Sequence, residues 1–158
     1  MTTAIAQFMR DLEGAWDAHR EALLVRRDLA AALAPMAAEP SVAHRPAMTG
    51  ASGRPAVERF YAEQVLPHLP ADLTLNRISR TVDRWRLAEE TTVSFTHDRE
   101  LPWLLPGAGP TFRRAEVLAI AVVGFQRMKI SSVRVLWDHA TLTTQLGFTV
   151  PVATAPAR

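Results

Sequence analysis

Between residues 73 and 139 the chain runs through four segments of strand character with no βαβ alternation among them. "LTLNRISRTVDRW" (73–85) alternates in part, and "RLAEETTVSFTHDRE" (86–100) carries β-branched and aromatic residues at period two. "AEVLAIAVVGF" (115–125) is apolar on both faces, and "KISSVRVLWDH" (129–139) alternates again. Strands that follow one another without crossover helices pair antiparallel, and helices kept apart from them in sequence pack together on one face. The expected class is α+β, with N-terminal helices packed in a curved antiparallel sheet.

The helices come first. Ile5, Phe8, Met9, Leu12, Trp16 and Leu23 fall on one stripe at helical spacings, which predicts a long helix over 3–36 that Pro35 ends. "EPSVAHRPAMTGASG" (39–53) reads as loop with a short extended piece around 42–44. A second helix is predicted over 54–66, with Ser52 to cap it, Pro55 in its first turn, and Val57, Phe60, Tyr61 and Val65 on its buried side. "LPWLLPGAGPTFRR" (101–114) is a loop too apolar to stand fully in water. Residues 1–148 are expected to form a single domain, and 149–158 a frayed C-terminal tail.

Composition excludes several classes. Eighteen basic and 16 acidic residues leave a net charge of +2, too even for the basic stripe of a nucleic-acid binder. Without cysteine there is no disulfide, thiolate chemistry or Cys-based metal site. The histidines at 19, 44, 68, 97 and 139 show no HExxH or other close ligand spacing, so no metal site is expected. The N-terminus lacks the basic and apolar regions of a signal peptide, and no apolar run approaches membrane-spanning length. The expectation is a cytoplasmic protein.

Segment 115–125 sets a second constraint. One face must meet the helices, yet Leu118, Ile120 and Val122 make the other face as apolar as Ala119, Ala121 and Val123. Antiparallel sheets normally leave one face to water, so a second copy is expected to cover it.

Candidate functional residues gather on the last strands. Asp138 ends the final strand beside Trp137 and either caps the segment beginning near Thr141 or points into a cavity, where desolvation would raise its pKa into the range of proton exchange. Arg134 shares a strand face with Asp138, four residues before it, and would oppose that rise or bind an anionic group. His97 has a side chain suited to proton transfer and is equally a core histidine. His44 stands in a loop before Arg45 and Pro46, at the pocket rim or in a plain loop role. Glu116 is a second carboxylate for the site or a salt-bridge partner of Arg113, Arg114 or Arg134, and Trp103 heads a lid or anchors its loop.

"GRPAVERFYAEQVLPHLPADL", "TVSFTHDRELPWLLPGAGPTFRRAEV" and "LWDHATLTTQLGF" together resemble the SnoaL-like polyketide cyclase branch of the nuclear transport factor 2-like superfamily, over most of residues 38–148. The resemblance implies a cone-shaped α+β barrel with a pocket at its open end. It further implies that Asp138 faces the pocket as acid/base while Trp137 points away, and that Phe95 and His97 look inward. Cyclases of this type often pair the acid with a histidine on the preceding strand. That strand offers Leu118, Ile120 and Val122 here, so His97 or His44 would have to serve.

The function so implied is a cofactor-independent cyclase or isomerase of a polyketide- or terpenoid-type intermediate. Asp138 and His97 would move the proton, and Phe60, Tyr61, Phe95, Trp103 and Leu136 would shape an apolar cavity for a hydrophobic small molecule. Epoxide hydrolysis or epoxide-opening cyclisation, a pericyclic reaction needing no acid, and a non-catalytic ligand-binding or dimerisation module remain the alternatives.

Overall fold

The computed structural model describes residues 2–148. Helix α1 (Thr2–Leu24) leads to a short α2 (Leu29–Leu33), then strands β1 (Met36–Arg45) and β2 (Thr49–Ser52). Helix α3 (Arg54–Arg59) runs on through π-helical turns (Phe60–Val65) and a 3₁₀ turn (Leu66–His68). Strands β3 (Thr74–Val82), β4 (Arg86–Thr96), β5 (Arg114–Gln126) and β6 (Lys129–Trp137) follow, and α4 (His139–Leu146) closes the described chain. Among these residues no helix is long and apolar enough to cross a membrane.

The predicted first helix is cut in two. Arg27 takes a left-handed φ of 56°, and the side chain of Asp28 accepts a hydrogen bond from Ala31 N at 3.1 Å as the N-cap of α2. Arg27 then donates to the carbonyls of Leu69 and Pro70, pinning the break to the segment ahead of β3. Apolar spacing continues across the break through Leu29 and Leu33, which is why periodicity alone runs the helix on to 36. The predicted loop 39–53 is a hairpin of β1 and β2.

The six strands lie in the order β2-β1-β6-β5-β4-β3. The four C-terminal strands pair antiparallel as expected, but β1 pairs parallel with β6, so the sheet is mixed, and it curves without closing into a barrel. Parallel pairing is open to β1 because nearly the whole domain serves as its crossover to β6. The concave face receives α1, whose buried residues Leu12, Trp16, His19, Ala22 and Leu23 lie on one stripe. Predicted tail residues 149–158 fall outside the described chain.

Candidate active site

A hollow of about 90 Å³ lies between the concave face and the helices. Small residues make the room. Ala119 and Ala121 of β5 sit at its floor, paired with Thr91 and Glu89 of β4 on one side and with Trp137 and Val135 of β6 on the other. Val42 and His44 of β1 extend the floor, Trp16, His19, Arg20 and Leu23 of α1 form the roof, and Trp103 comes from the loop after β4. Tyr61 enters from the π-helical turns, where the consecutive side chains of Phe60 and Tyr61 are both buried. Thr49 Oγ1 donates to the carbonyl of Trp103 at 2.6 Å and ties the loop to β2.

Three polar groups interrupt the apolar wall. His19, 2% exposed, donates from Nδ1 to the Ala32 carbonyl at 2.7 Å, which leaves its Nε2 lone pair facing the Tyr61 hydroxyl at 3.3 Å. Burial holds His19 below the ordinary histidine pKa, against the opposing pull of the Ala32 bond, and pushes the Tyr61 hydroxyl upward. At the other end Trp137 Nε1 donates to His44 Nδ1 at 3.1 Å. Burial, with the nearby charge of Arg45, lowers His44 to about 4, so both rings are neutral at pH 7.

Glu89 is the third group. It projects from β4 onto the concave face and is 2% exposed. Arg20 donates to one carboxylate oxygen, and Thr91 reaches the same oxygen at 3.1 Å. Arg80 donates to the other from Nε at 2.8 Å and from Nη2 at 2.5 Å, and Trp16 Nε1 approaches it at 3.3 Å. Arg80 also grips Asp17, with Glu13 3.5 Å away, so the charges of α1 and β3 neutralise the buried acid. Burial raises the Asp17 carboxyl, but the hydrogen bonds and charge of Arg80, with Arg20 and Arg77 behind it, outweigh that and hold it low.

No protein-family model matches the chain, and no curated protein matches it. Solved structures do. A protein named as a SnoaL-like polyketide cyclase, from Jannaschia sp. CCS1, superposes with a TM-score of 0.73 at 12% identity, over 90% of this chain and 96% of its own. An NTF2-like protein from Burkholderia pseudomallei K96243 superposes at 0.66 with 18% identity, over 86% and 97%. The chain has the nuclear transport factor 2-like fold. An LEH-like epoxide hydrolase from M. tuberculosis shares it at a TM-score of 0.62 and 14% identity, over 87% and 90%.

Within this nuclear transport factor 2-like fold the predicted residues fall into three groups. Tyr61, Trp103 and His44 line the hollow. Phe60, Phe95 and His97 are buried but stand outside its lining, in the core beside it. His97 bonds through Nδ1 to Thr111, and its backbone carbonyl accepts from Thr111 and Phe112, so it fastens the 98–113 loop. Asp138, Arg134, Leu136 and Glu116 lie on the opposite, convex side and are exposed.

The placement of Asp138 corrects the expected geometry. Val133, Val135 and Trp137 are the inward residues of β6, so Trp137 faces the hollow and Asp138 does not. Asp138 caps α4, accepting from Thr141 N at 3.2 Å and Thr141 Oγ1 at 2.6 Å, and these bonds hold its carboxyl below the ordinary value. Glu116 is exposed and does not line the hollow. Its backbone is clamped by Gln145, which accepts from Glu116 N at 2.7 Å and donates to Glu116 O at 3.0 Å. Leu146 is buried and Gly147 ends the helix at φ 80°. The aromatic-Asp and Gln-Leu-Gly elements that carry the resemblance are thus a docked, capped helix.

Trp16, His19, Arg20, Glu89 and Trp137 are lining residues that the sequence reading did not select. Two signals were available. His19 lies seven residues after Leu12 on the apolar stripe of α1, and Glu89 shares strand parity with Leu87, Thr91 and Val93.

Proposed function

We propose that this chain is a cofactor-independent cyclase or isomerase acting on an apolar polyketide- or terpenoid-type intermediate, with His19 as its base. The observation that carries this is an apolar hollow in which a neutral histidine, oriented by a backbone carbonyl, turns its lone pair toward a tyrosine hydroxyl. Such a group removes a proton from an activated carbon of the ligand. The released electron pair forms a new double bond, or attacks an electrophilic carbon to close a ring. Returning the proton from His19 to another carbon or to an oxygen completes an isomerisation that consumes no cofactor. As His19 takes the carbon's proton, the Tyr61 hydroxyl, kept protonated by burial, turns from His19 Nε2 to the developing negative charge, and the apolar wall fixes the reactive conformer. The cyclases and isomerases named among the structural neighbours support the reading.

The test is solvent exchange. Poly-β-ketone and enone compounds are incubated with the protein in deuterated water without cofactor, and label uptake is followed by mass spectrometry. His19→Gln is expected to reduce uptake at least ~100-fold at unchanged melting temperature. Undiminished uptake in the variant overturns the assignment. Product without uptake points to a pericyclic reaction, and binding without turnover to a ligand-binding module.

Epoxide opening is the second reading, favoured by the Glu89 carboxylate beside Arg20 at the wall. Water would attack an epoxide carbon as the carbon–oxygen bond breaks, giving its proton to the carboxylate while the opened oxygen takes one from an acid. In that case epoxide members of the panel yield diols, and Glu89→Gln abolishes them. We also propose that two copies pair through the convex face, where Ile120 is 37% and Leu136 49% exposed beside Leu118. A dimer by light scattering that Ile120→Glu converts to monomer supports this, and a monomeric parent refutes it.

A further inference from the structure

We infer that His44 is a hydrogen-bond donor to a carbonyl oxygen of the ligand, with Trp137 as the positioning residue that fixes its tautomer. The inference rests on the reading of the hollow as a ligand site and names a chemical class for that ligand. A neutral imidazole carries one N–H and one lone pair. An indole nitrogen can only donate, so the 3.1 Å bond from Trp137 Nε1 makes His44 Nδ1 the acceptor. The proton of the neutral ring therefore sits on Nε2.

Among the described residues no hydrogen bond engages that Nε2, and the ring lines the hollow. Its surroundings are aromatic: Trp103, Phe60 and Trp137 have ring centroids 5.5, 6.0 and 6.2 Å from that of His44. None of these rings offers a strong acceptor, so the N–H is left free for a ligand, and a ligand that covered it without accepting its hydrogen bond would bind less well. Protonation is not a competing way to satisfy the ring, because burial and Arg45 keep it neutral down to about pH 4. A neutral donor suits a ketone or quinone oxygen on a flat apolar frame better than a carboxylate, which asks for a full positive charge. It also gains strength as that oxygen takes up negative charge during proton removal from the adjacent carbon.

The test uses acetophenone and α-methylstyrene, two molecules of nearly the same shape that differ in a C=O against a C=CH₂. Binding is followed by the fluorescence of the tryptophans that line the hollow, and ¹⁵N NMR reads the tautomer. The parent protein is expected to prefer acetophenone by about five- to tenfold, the scale of one hydrogen bond. In His44→Phe the ratio of the two affinities is expected to lose that roughly five- to tenfold bias toward acetophenone. Trp137→Phe weakens the preference and shifts the ¹⁵N pattern of His44 from the pure Nε2–H form toward a mixture. Equal affinity of the parent for the two probes, or a Nδ1–H pattern in the parent, overturns the inference and leaves the ligand site standing. Failure of both probes to bind overturns the ligand site and the inference with it.

Discussion

Acidification from pH 7.5 to pH 4 destabilises this protein through its buried histidines, and His44 sets the scale. In the unfolded chain the ring takes up a proton near 6.5, whereas in the folded protein it resists until about 4. Between these values the unfolded state binds more protons, so stability falls as pH falls, is complete above 6.5 and is exhausted near 4. At about 1.4 kcal/mol for each tenfold change in proton affinity, the difference amounts to roughly 3 kcal/mol. Against a typical total of about 5–15 kcal/mol this is large. His19 acts in the same direction, being lowered by burial. Asp17 and Asp138, held low in the fold, stabilise it at higher pH and lose that contribution mostly as the pH falls below their ordinary value of 3.8, largely past the acid end of the window. Urea unfolding of the parent and of His44→Phe across this range isolates the term, because the other groups are common to both. The parent should lose roughly 3 kcal/mol more than the variant, most of it between pH 6 and 4. Parallel stability curves would falsify the claim that the fold keeps this ring neutral.

Asp138→Ala is expected to lower the melting temperature by about 2–4 °C, the scale of a lost N-cap in a chain of this size, while Asp138→Asn keeps the cap and most of the stability. Catalytic turnover at parental rate in both variants, once a substrate is in hand, confirms that the acid works on the fold alone. Arg80→Met leaves the buried Glu89 with one guanidinium and should cost ~3 kcal/mol in urea unfolding, part of which Glu89→Gln restores in the double variant. Ala119→Leu fills the floor of the hollow; it should abolish binding of acetophenone at near-parental melting temperature, and a large loss of stability would show that the space is not there to fill.

Much of the fold was legible because period-two alternation over 73–139 admits few arrangements, and the observed strands fall within a few residues of the predicted ones. The losses have local causes. Asp28 is an N-cap signal inside an uninterrupted apolar period, and the left-handed Arg27 that precedes it carries no glycine to announce it. The β1–β2 hairpin hides in a segment rich in Pro, Gly and Ser, and its parallel pairing with β6 joins residues roughly ninety positions apart, which no window detects.

The site was less legible because its selection followed the resemblance against the residue pattern. On β6 Val133, Val135 and Trp137 are apolar and Arg134 is charged, so burial alone turns Asp138 outward, and a one-residue change of parity exchanges every side chain between the faces. The same rule, applied to β4, turns Glu89 inward among Leu87, Thr91 and Val93. A carboxylate there is tolerable only with cations, and Arg80, nine residues earlier on β3, sits directly opposite it in the register. That pairing is readable from the hairpin once the turn is placed. Arg20 and Trp16 are not, since their approach depends on how α1 crosses the sheet. The polar lining of this hollow is therefore set by long-range packing of α1 on β4, whereas Asp138, prominent in sequence, caps the helix that follows the last strand.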